Sequence, residues 1–371
     1  MAVINRLDPA TVGECLSAWL PGALPGVTDV TVTGVQVSRS TGMSSESILL
    51  DAEWSAGGRR ERRGLVARVA PADGGLFDSY DLAREARVMS ALAGATAVAV
   101  PRVLAHETDR GVLGAPFMLV ERCYGQVPPD DPPFTVAGWV LDLPEEQRAA
   151  LHDGALRVLA GIHTADWRAL DLGFLARPEL GVTPLDQLWR RWEGFYAWAG
   201  RGRTSPTIDA AWEWLGAHRP ARESTPVLCW GDARLGNLMF DGEQRVTGVF
   251  DWEMVALGPH ELDLGYFLFL NRVYTQGMGV PVPAGFPDRD ATVARYEELS
   301  GLTVRDLDFY EGFAGVVGAV LLMRVGTLMI ELGALPPDAA LPVANPASAA
   351  LAAMLDLPAP TAQAGWITGN R

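Results

Sequence analysis

The periodicity of apolar residues changes near residues 121–126, and this change limits the fold more than any other feature. Upstream, alternating apolar and polar residues predict strands, together with a prominent amphipathic helix that ends at Gly94. Downstream, apolar residues recur at helical spacing, and only residues 228–252 return to short strands. We therefore predict an α+β protein with a β-rich lobe over residues 1–121 and a mostly helical lobe over residues 122–371.

The local patterns place the individual elements within these two lobes. Strands are predicted at residues 27–38, 48–54, 64–70, 100–107 and 115–125. Helices are predicted at residues 9–20, 78–94, 145–164, 184–199, 207–218, 261–275, 289–299 and 306–332. The segment GGRRERR at 57–63 is predicted to be a charged turn, and FDGEQR at 240–245 the turn of a hairpin.

Length and charge bound the class of protein. A chain of 371 residues is long enough for two lobes with sizeable cores. The formal net charge is −15 and there is no basic stripe, so we expect no nucleic-acid partner. The sequence contains no Lys, and all 30 basic residues are Arg. Any basic phosphate ligand in this protein must therefore be Arg.

The cysteines and the most apolar segment indicate the compartment. Cys15, Cys123 and Cys229 are widely separated and lack CxxC spacing, which is not typical of a disulfide framework or a zinc site. The apolar run at 313–330 is interrupted by Arg324, so its longest uncharged part is too short to span a bilayer. We expect a buried helix there, no membrane association, and a reducing, cytoplasmic location.

Polar side chains recur in two loops of the second lobe. The stretch LCWGDARLGNLMFD at 228–241 places Asp232 and Asn237 five residues apart, and Asp251 begins the loop after the predicted hairpin. Phosphoryl transfer from a nucleotide needs a carboxylate that takes the proton of the acceptor hydroxyl, and oxygen ligands for Mg²⁺. The protein-kinase signature has the same Asp-to-Asn spacing followed by a second Asp. We therefore assign Asp232 as the base, and Asn237 and Asp251 as ligands of Mg²⁺.

The first lobe contains groups that suit the phosphates of a nucleotide. A loop of small residues lies between the first two strands, where backbone N–H groups can approach phosphate oxygens. The candidate residues in this loop are Gly42, Met43, Ser44 and Ser45. Arg68 lies on the third strand, where protein kinases carry a Lys, and Glu85 lies in the following helix. We predict an Arg68–Glu85 ion pair that directs Arg68 onto the α- and β-phosphates.

The segment that joins the two lobes is the candidate purine site. In MLVERC, at 118–123, the backbone of Glu121 and Cys123 is predicted to face the edge of adenine or guanine. The sequence does not distinguish ATP from GTP as the phosphoryl donor, and nothing in it indicates an oligomeric state.

The small-residue loop, the Arg68 strand, the helix with Glu85, the MLVERC segment and the two polar loops occur in this order. Over about residues 35–270, the sequence thus resembles the aminoglycoside phosphotransferase-like (APH) family of small-molecule kinases. The resemblance is closest to a subgroup related to the kinase-like domain of some acyl-CoA dehydrogenase fusions. It implies a protein-kinase-like two-lobed fold and ATP- or GTP-dependent, Mg²⁺-assisted O-phosphorylation of a small molecule. Two residues depart from the family pattern: Trp230 replaces a His, and Arg68 replaces the Lys. We expect the first departure to change packing under the catalytic loop rather than chemistry.

The sequence leaves two classes of molecule as candidates for the acceptor of the phosphoryl group. An aminoglycoside or another antibiotic, with a role in resistance, is one class, and a hydroxyacyl thioester or another metabolite is a second. Asp130 and Asp131 lie in a Pro-rich stretch and form either an acidic lip for an aminated substrate or a solvated loop. The aromatic stripe at 189–200 is either core packing or part of an acceptor pocket.

A rival interpretation is a nucleotide-binding pseudokinase without transferase activity. Trp230 and Arg68 favour it, whereas the presence of Asp232, Asn237 and Asp251 argues against it. Two further residues are given structural roles under either interpretation. We expect Asp263 to cap or brace the catalytic loop, and His163 to pack beneath that loop.

Overall fold

A computed structural model of the protein describes residues 8–37, 45–71 and 74–360. The strands are β1 Val27–Val37, β2 Glu46–Ala56, β3 Arg59–Val69, β4 Val103–Glu107, β5 Phe117–Glu121, β6 Val227–Cys229, β7 Leu238–Phe240, β8 Val246–Val249 and β9 Ala256–Gly258. The helices are α1 Pro9–Ala23, α2 Leu82–Ala95, α3 Arg110–Leu113, α4 Trp139–Asp142, α5 Glu145–His163, α6 Pro184–Gly200, α7 Pro206–Ala217, α8 Glu261–Tyr274, α9 Arg289–Ser300, α10 Leu307–Glu331 and α11 Pro346–Leu355.

The chain divides into two compact units. The first comprises residues 1–94 and 100–123, and the second comprises residues 95–99 and 124–371. Strands dominate the first unit and helices dominate the second, which confirms the predicted α+β class.

The first unit is built on an antiparallel sheet with the strand order β1-β2-β3-β5-β4. Helix α1 packs against β1, and the buried side chains between the elements include Leu16, Ile48, Leu65 and Phe117. Burying each such side chain away from water contributes about 1.5–3 kcal/mol to the stability of the folded unit. This core fixes the strand that carries Arg68.

The prediction of a charged turn at 57–63 is wrong. Only Gly57 and Gly58 form the turn, with positive φ angles of 54° and 77°, and Ala56 pairs with Arg59 at the start of β3. Two residues at positive φ make a tight hairpin turn whose twist matches that of the strands. The Arg side chains that follow are strand residues, and Arg60 lies 3.6 Å from Glu53 on β2.

Helix boundaries differ from the prediction where a cap decides them. Helix α2 begins at Leu82 rather than near residue 78, because the Asp81 carboxylate accepts from the Arg84 amide at 2.9 Å. Helix α11 was missed. Asn345 and Ser348 form its capping box and Pro346 is its first residue, so the start signal was present in the sequence.

Helix α10 is the buried centre of the second unit and packs against α6, α7, α8 and α11. By length and mean hydropathy, 2.0 over its most apolar window, it could cross a membrane, but 78% of that window is buried inside the protein. Arg324, 1% exposed, donates to Glu331 at 2.9 Å and lies over the Trp198 ring at 4.5 Å. Its charge is thus paired within the protein.

The aromatic stripe of α6 contributes to the core. Trp192 and Phe195 are buried and in edge contact, with their ring centroids 5.2 Å apart. Trp189 packs on Trp212 at 4.8 Å, and Trp212 meets Phe313 of α10 at 6.0 Å. Core packing therefore accounts for these rings.

Two short strand pairs in the second unit hold the polar loops. β6 pairs with β9, and β7 pairs with β8, both antiparallel. The β6–β7 loop contains Asp232, and Asp251 follows β8. The β7–β8 connection is the hairpin turn that the sequence predicts.

Candidate active site

Asp232 lies at the centre of a hydrogen-bonded loop between β6 and β7. The Asn237 amide donates to Asp232 Oδ2 at 2.7 Å, and Arg234 Nε lies 3.1 Å from each carboxylate oxygen. The buried Tyr266 hydroxyl also donates to Asp232. Burial first, and then the negative charge of Asp232, raise the pKa of Tyr266 well above its usual value. The carboxylate is therefore fixed in position, while 15% of the side chain stays exposed.

Asn237 is oriented by the same loop. Its Nδ2 donates to the Asp232 backbone carbonyl at 3.0 Å as well as to the Asp232 carboxylate, and its side chain is buried. Among the residues that the structure describes, none donates a hydrogen bond to Asn237 Oδ1. Because the donors of the amide are used inside the loop, its oxygen is the atom that suits a hard cation.

Asp251 is tied to Asn237 through the hairpin. Leu238 pairs with Val249, and the Phe250 amide donates to the Asn237 carbonyl at 3.0 Å, directly before Asp251. Asp251 has a φ of 56°, in the left-handed region that Asp and Asn tolerate better than most residues. The backbone thus fixes one candidate ligand relative to the other.

Trp230, the residue that departs from the family pattern, joins the same two loops. Its indole Nε1 donates to the Phe250 carbonyl at 2.8 Å, and its ring, 1% exposed, lies 6.0 Å from that of Trp252. The ring N–H thus links the Asp232 loop to the residue before Asp251. That Trp230 leaves the chemistry unchanged stays a prediction.

Asp263 of α8 holds the start of the Asp232 loop, as predicted. Its carboxylate accepts hydrogen bonds from the Trp230 amide at 2.6 Å and from the Gly231 amide at 2.9 Å. His163 Nε2 lies 3.0 Å from the same carboxylate, and the Tyr296 hydroxyl lies 2.7 Å from His163 Nδ1. His163 therefore packs beneath the loop and supports Asp263.

Gly231 is required at this point by its conformation and by its surroundings. Its φ is 94°, and a Cβ there would lie 2.5 Å from the Met254 carbonyl oxygen. The close approach brings the Asp232 loop against the segment that follows Asp251.

We expect Asp263→Ala to be strongly destabilising. The substitution leaves two backbone N–H groups and His163 without their common acceptor. Each buried polar group that loses its partner lowers the free energy of unfolding by about 1–3 kcal/mol. Chemical denaturation would show a loss of several kcal/mol, whereas Asp263→Asn, which keeps one acceptor oxygen, would lose less. Equal stability of the two variants would contradict this account.

Arg234 was not identified from the sequence. Its Nη1 donates to Asp130 while its Nε contacts Asp232, and the Tyr274 hydroxyl donates to the other Asp130 oxygen at 3.2 Å. Burial alone would lower the pKa of Arg234, but the charges of Asp232 and Asp130 raise it well above its usual value. A basic residue two positions after the base was the available signal. Asp130 is thus engaged by protein groups, while 41% of its side chain stays exposed.

In the first unit, the predicted ion pair is present. Arg68 Nη1 lies 3.7 Å from Glu85 Oε2, and the two side chains are 10% and 4% exposed. Arg68 Nη2 also donates to Ser45 Oγ at 3.0 Å. Of the other candidate phosphate contacts, Gly42, Met43 and Ser44 lie outside the described residues.

We expect Glu85→Ala to lower stability and nucleotide affinity together. Removing one partner of a buried pair costs about 3–5 kcal/mol, because the other charge is left uncompensated. Thermal unfolding and calorimetric titration with nucleotide would measure the two effects. Glu53→Ala, at a half-exposed pair on the same sheet, is the control and should cost about 1 kcal/mol or less. Similar losses for both variants would contradict a special role for Glu85.

The predicted purine site has one backbone donor already in use. The Glu121 amide donates to the Arg102 carbonyl at 2.9 Å within the sheet, so only its carbonyl is left as a candidate contact. Among the described residues, none accepts a hydrogen bond from the Cys123 amide. The Cys123 N–H is therefore the candidate donor to a purine.

Comparison of the sequence with known proteins shows the family to which the chain belongs. A model of the phosphotransferase enzyme family (APH) matches residues 56–308. The chain belongs to this family. A region of 231 residues is 32% identical to the mouse protein acyl-CoA dehydrogenase family member 10, covering 62% of this chain and 20% of that protein. The chain thus spans about a fifth of the length of this curated relative.

Solved structures of other phosphotransferases share the fold. A Ralstonia eutropha protein, provisionally named an aminoglycoside phosphotransferase, is 26% identical with a TM-score of 0.67, and the match covers 93% of this chain and 98% of that one. The ternary complex of aminoglycoside phosphotransferase APH(4)-Ia with AMP-PNP and hygromycin B is 17% identical with a TM-score of 0.54, covering 93% and 98%. By family, the chain is of the APH phosphotransferase type.

Proposed function

We propose that this protein transfers the γ-phosphoryl group of ATP or GTP to a hydroxyl group of a small molecule. The observation that carries the proposal is the Asp232–Asn237 loop, hydrogen-bonded at 2.7 Å and joined to the Asp251 loop through Phe250 and Trp230. This arrangement supplies one candidate base and two candidate metal ligands on a fixed backbone.

Asp232 is the proposed general base. It takes the proton of the acceptor hydroxyl as the acceptor oxygen forms a bond to the γ-phosphorus. The bond from that phosphorus to the β–γ bridging oxygen breaks, and the nucleoside diphosphate leaves with the bonding electrons. The hydrogen bonds from Asn237, Arg234 and Tyr266 orient the carboxylate for this step.

Mg²⁺ fits the donor set of the second unit. The Asn237 amide oxygen and the Asp251 carboxylate are hard oxygen ligands, and no described residue donates to Asn237 Oδ1. When bound, Mg²⁺ would neutralise charge that develops on the phosphate oxygens. In the first unit, Arg68, oriented by Glu85, is the proposed phosphate ligand, together with the loop that includes Ser45.

A hydroxyacyl thioester is the acceptor class that we propose. The supporting observation is the relative at 32% identity, which is named as a member of the acyl-CoA dehydrogenase family, since acyl-CoA is an acyl thioester. Arg234 and Tyr274 also bind the Asp130 carboxylate, which weakens the case for an acidic lip that would receive an aminated antibiotic. Aminoglycosides and other antibiotics are the competing class in the test.

The test is a screen of hydroxyl compounds with Mg²⁺ and each nucleotide, read as diphosphate release and as phosphorylated product. The panel contains hydroxyacyl thioesters, the matching acyl thioesters without the hydroxyl, aminoglycosides and macrolides. We expect product only from compounds that carry a hydroxyl, and from the hydroxyacyl thioesters first. Nucleotide binding with no product from any class would support the pseudokinase instead.

A further inference from the structure

We propose that Arg234 is a positioning residue for Asp232, and that Asp130 and Tyr274 in turn hold Arg234. The inference rests on the proposed function, because it assigns how the candidate base is held. It also assigns Asp130 to the base rather than to the acceptor.

The first support is the shared guanidinium. Arg234 contacts both oxygens of Asp232 through Nε at 3.1 Å and reaches Asp130 through Nη1. A planar guanidinium presents its donors in a fixed fork, so the position of Asp130 restricts the orientation in which Nε meets Asp232.

The second support is that Asp130 is itself held. Tyr274 of α8, which is buried, donates to Asp130 Oδ1 at 3.2 Å. The segment around Asp130 is anchored before and after this residue. The Gln126 amide donates to the Phe240 carbonyl at 2.8 Å, and the Thr135 hydroxyl donates to the Tyr274 carbonyl. A segment fixed in this way presents a carboxylate in one place, as a positioning role requires.

The third support is that Gly236, which has no side chain, leaves space for the contact between Arg234 and Asp130. A Cβ on Gly236 would lie 2.5 Å from Arg234 Nη1 and 2.5 Å from Asp130 Oδ1. The absence of a side chain at 236 is therefore a condition of the Arg234–Asp130 contact. Asp130 and Asp232 share this one guanidinium, so a change at Asp130 should alter how Arg234 meets Asp232.

The decisive variant is Asp130→Asn in the full-length protein, assayed with the acceptor identified by the screen. A displacement of the base of about 1 Å costs on the order of 100-fold in rate, so we expect kcat to fall about 10- to 100-fold. KM for the acceptor and the Kd for the Mg²⁺–nucleotide should stay unchanged. Asp290→Asn removes an exposed charge elsewhere and is the matched control. An acidic lip would instead raise KM for aminated acceptors and leave kcat unchanged.

Variants of Arg234 provide the second part of the test. Arg234→Gln should lower kcat at least as much as Asp130→Asn, Arg234→Lys should restore part of the loss, and the Asp130→Asn/Arg234→Gln double variant should be no worse than Arg234→Gln. Additive losses in kcat would show independent roles and overturn the proposal.

A readout that needs no acceptor separates failure of this inference from failure of the proposed function. In ¹⁵N-labelled protein, the Arg234 Nε–H signal, assigned with Arg234→Lys, should exchange slowly with water and exchange faster in Asp130→Asn. Slow exchange with no transfer to any hydroxyl compound would sink the proposed function while the contact stands. Fast exchange in the wild-type protein would overturn the inference even if transfer is observed.

Discussion

We expect Asp232→Asn to lower phosphoryl transfer by a factor of about 10²–10⁴, the range that general base catalysis contributes, and to retain nucleotide binding. The Asn side chain keeps the size of Asp and one acceptor oxygen for Arg234, so the loop should stay folded. The substitution removes the capacity to take the acceptor proton, together with one acceptor oxygen and the charge that pairs with Arg234. Steady-state transfer assays and calorimetric titration with Mg²⁺–nucleotide measure the two quantities.

The control for this variant is Glu243→Gln, which removes a carboxylate that is 73% exposed in the hairpin turn. It should transfer at the wild-type rate. An undiminished rate in Asp232→Asn would exclude Asp232 as the base, whatever the control shows.

We expect Asp251→Asn to have the second large effect, which is on the Mg²⁺ dependence of nucleotide binding. Losing an anionic ligand of a divalent cation removes several kcal/mol of stabilisation, which corresponds to about 10²–10³-fold in affinity for the Mg²⁺–nucleotide. Binding measured with EDTA should be unaffected. Asn is the informative substitution because Asp251 has a φ of 56°, a conformation that Asn tolerates and Ala tolerates poorly.

Asp251→Ala would therefore combine loss of a ligand with backbone strain, and its stability should fall below that of Asp251→Asn. If Mg²⁺ raises nucleotide affinity equally in wild type and Asp251→Asn, the assignment of Asp251 as a metal ligand is wrong.

Local spacing explains why part of the site could be predicted from the sequence. Asn237 is five positions after Asp232, and one turn of backbone is enough to return the amide to the carboxylate. Asp251 follows a short hairpin, so its place relative to Asn237 depends on the register of β7 and β8. The Arg68–Glu85 pair needed only the order of a strand and the next helix.

Contacts between residues that are far apart in the sequence could not be predicted from local patterns. Asp130 lies 104 residues before Arg234, and nothing in the periodicity of either segment indicates that they meet. The prediction of a charged turn at GGRRERR did not allow for the cross-strand partners on β2, which pair with these charges on a strand. The role of the Trp230 indole depends likewise on the Phe250 carbonyl, 20 residues away.

The most direct test of the central claim is a crystal structure with Mn²⁺ and a non-hydrolysable nucleotide, in which anomalous scattering locates the ion. We predict an anomalous peak at oxygen-ligand distance, about 2.0–2.3 Å, from both Asn237 Oδ1 and the Asp251 carboxylate, with Asp232 beside the γ-phosphate. A peak bound by other residues, or a nucleotide bound without a metal at these two, would contradict the account.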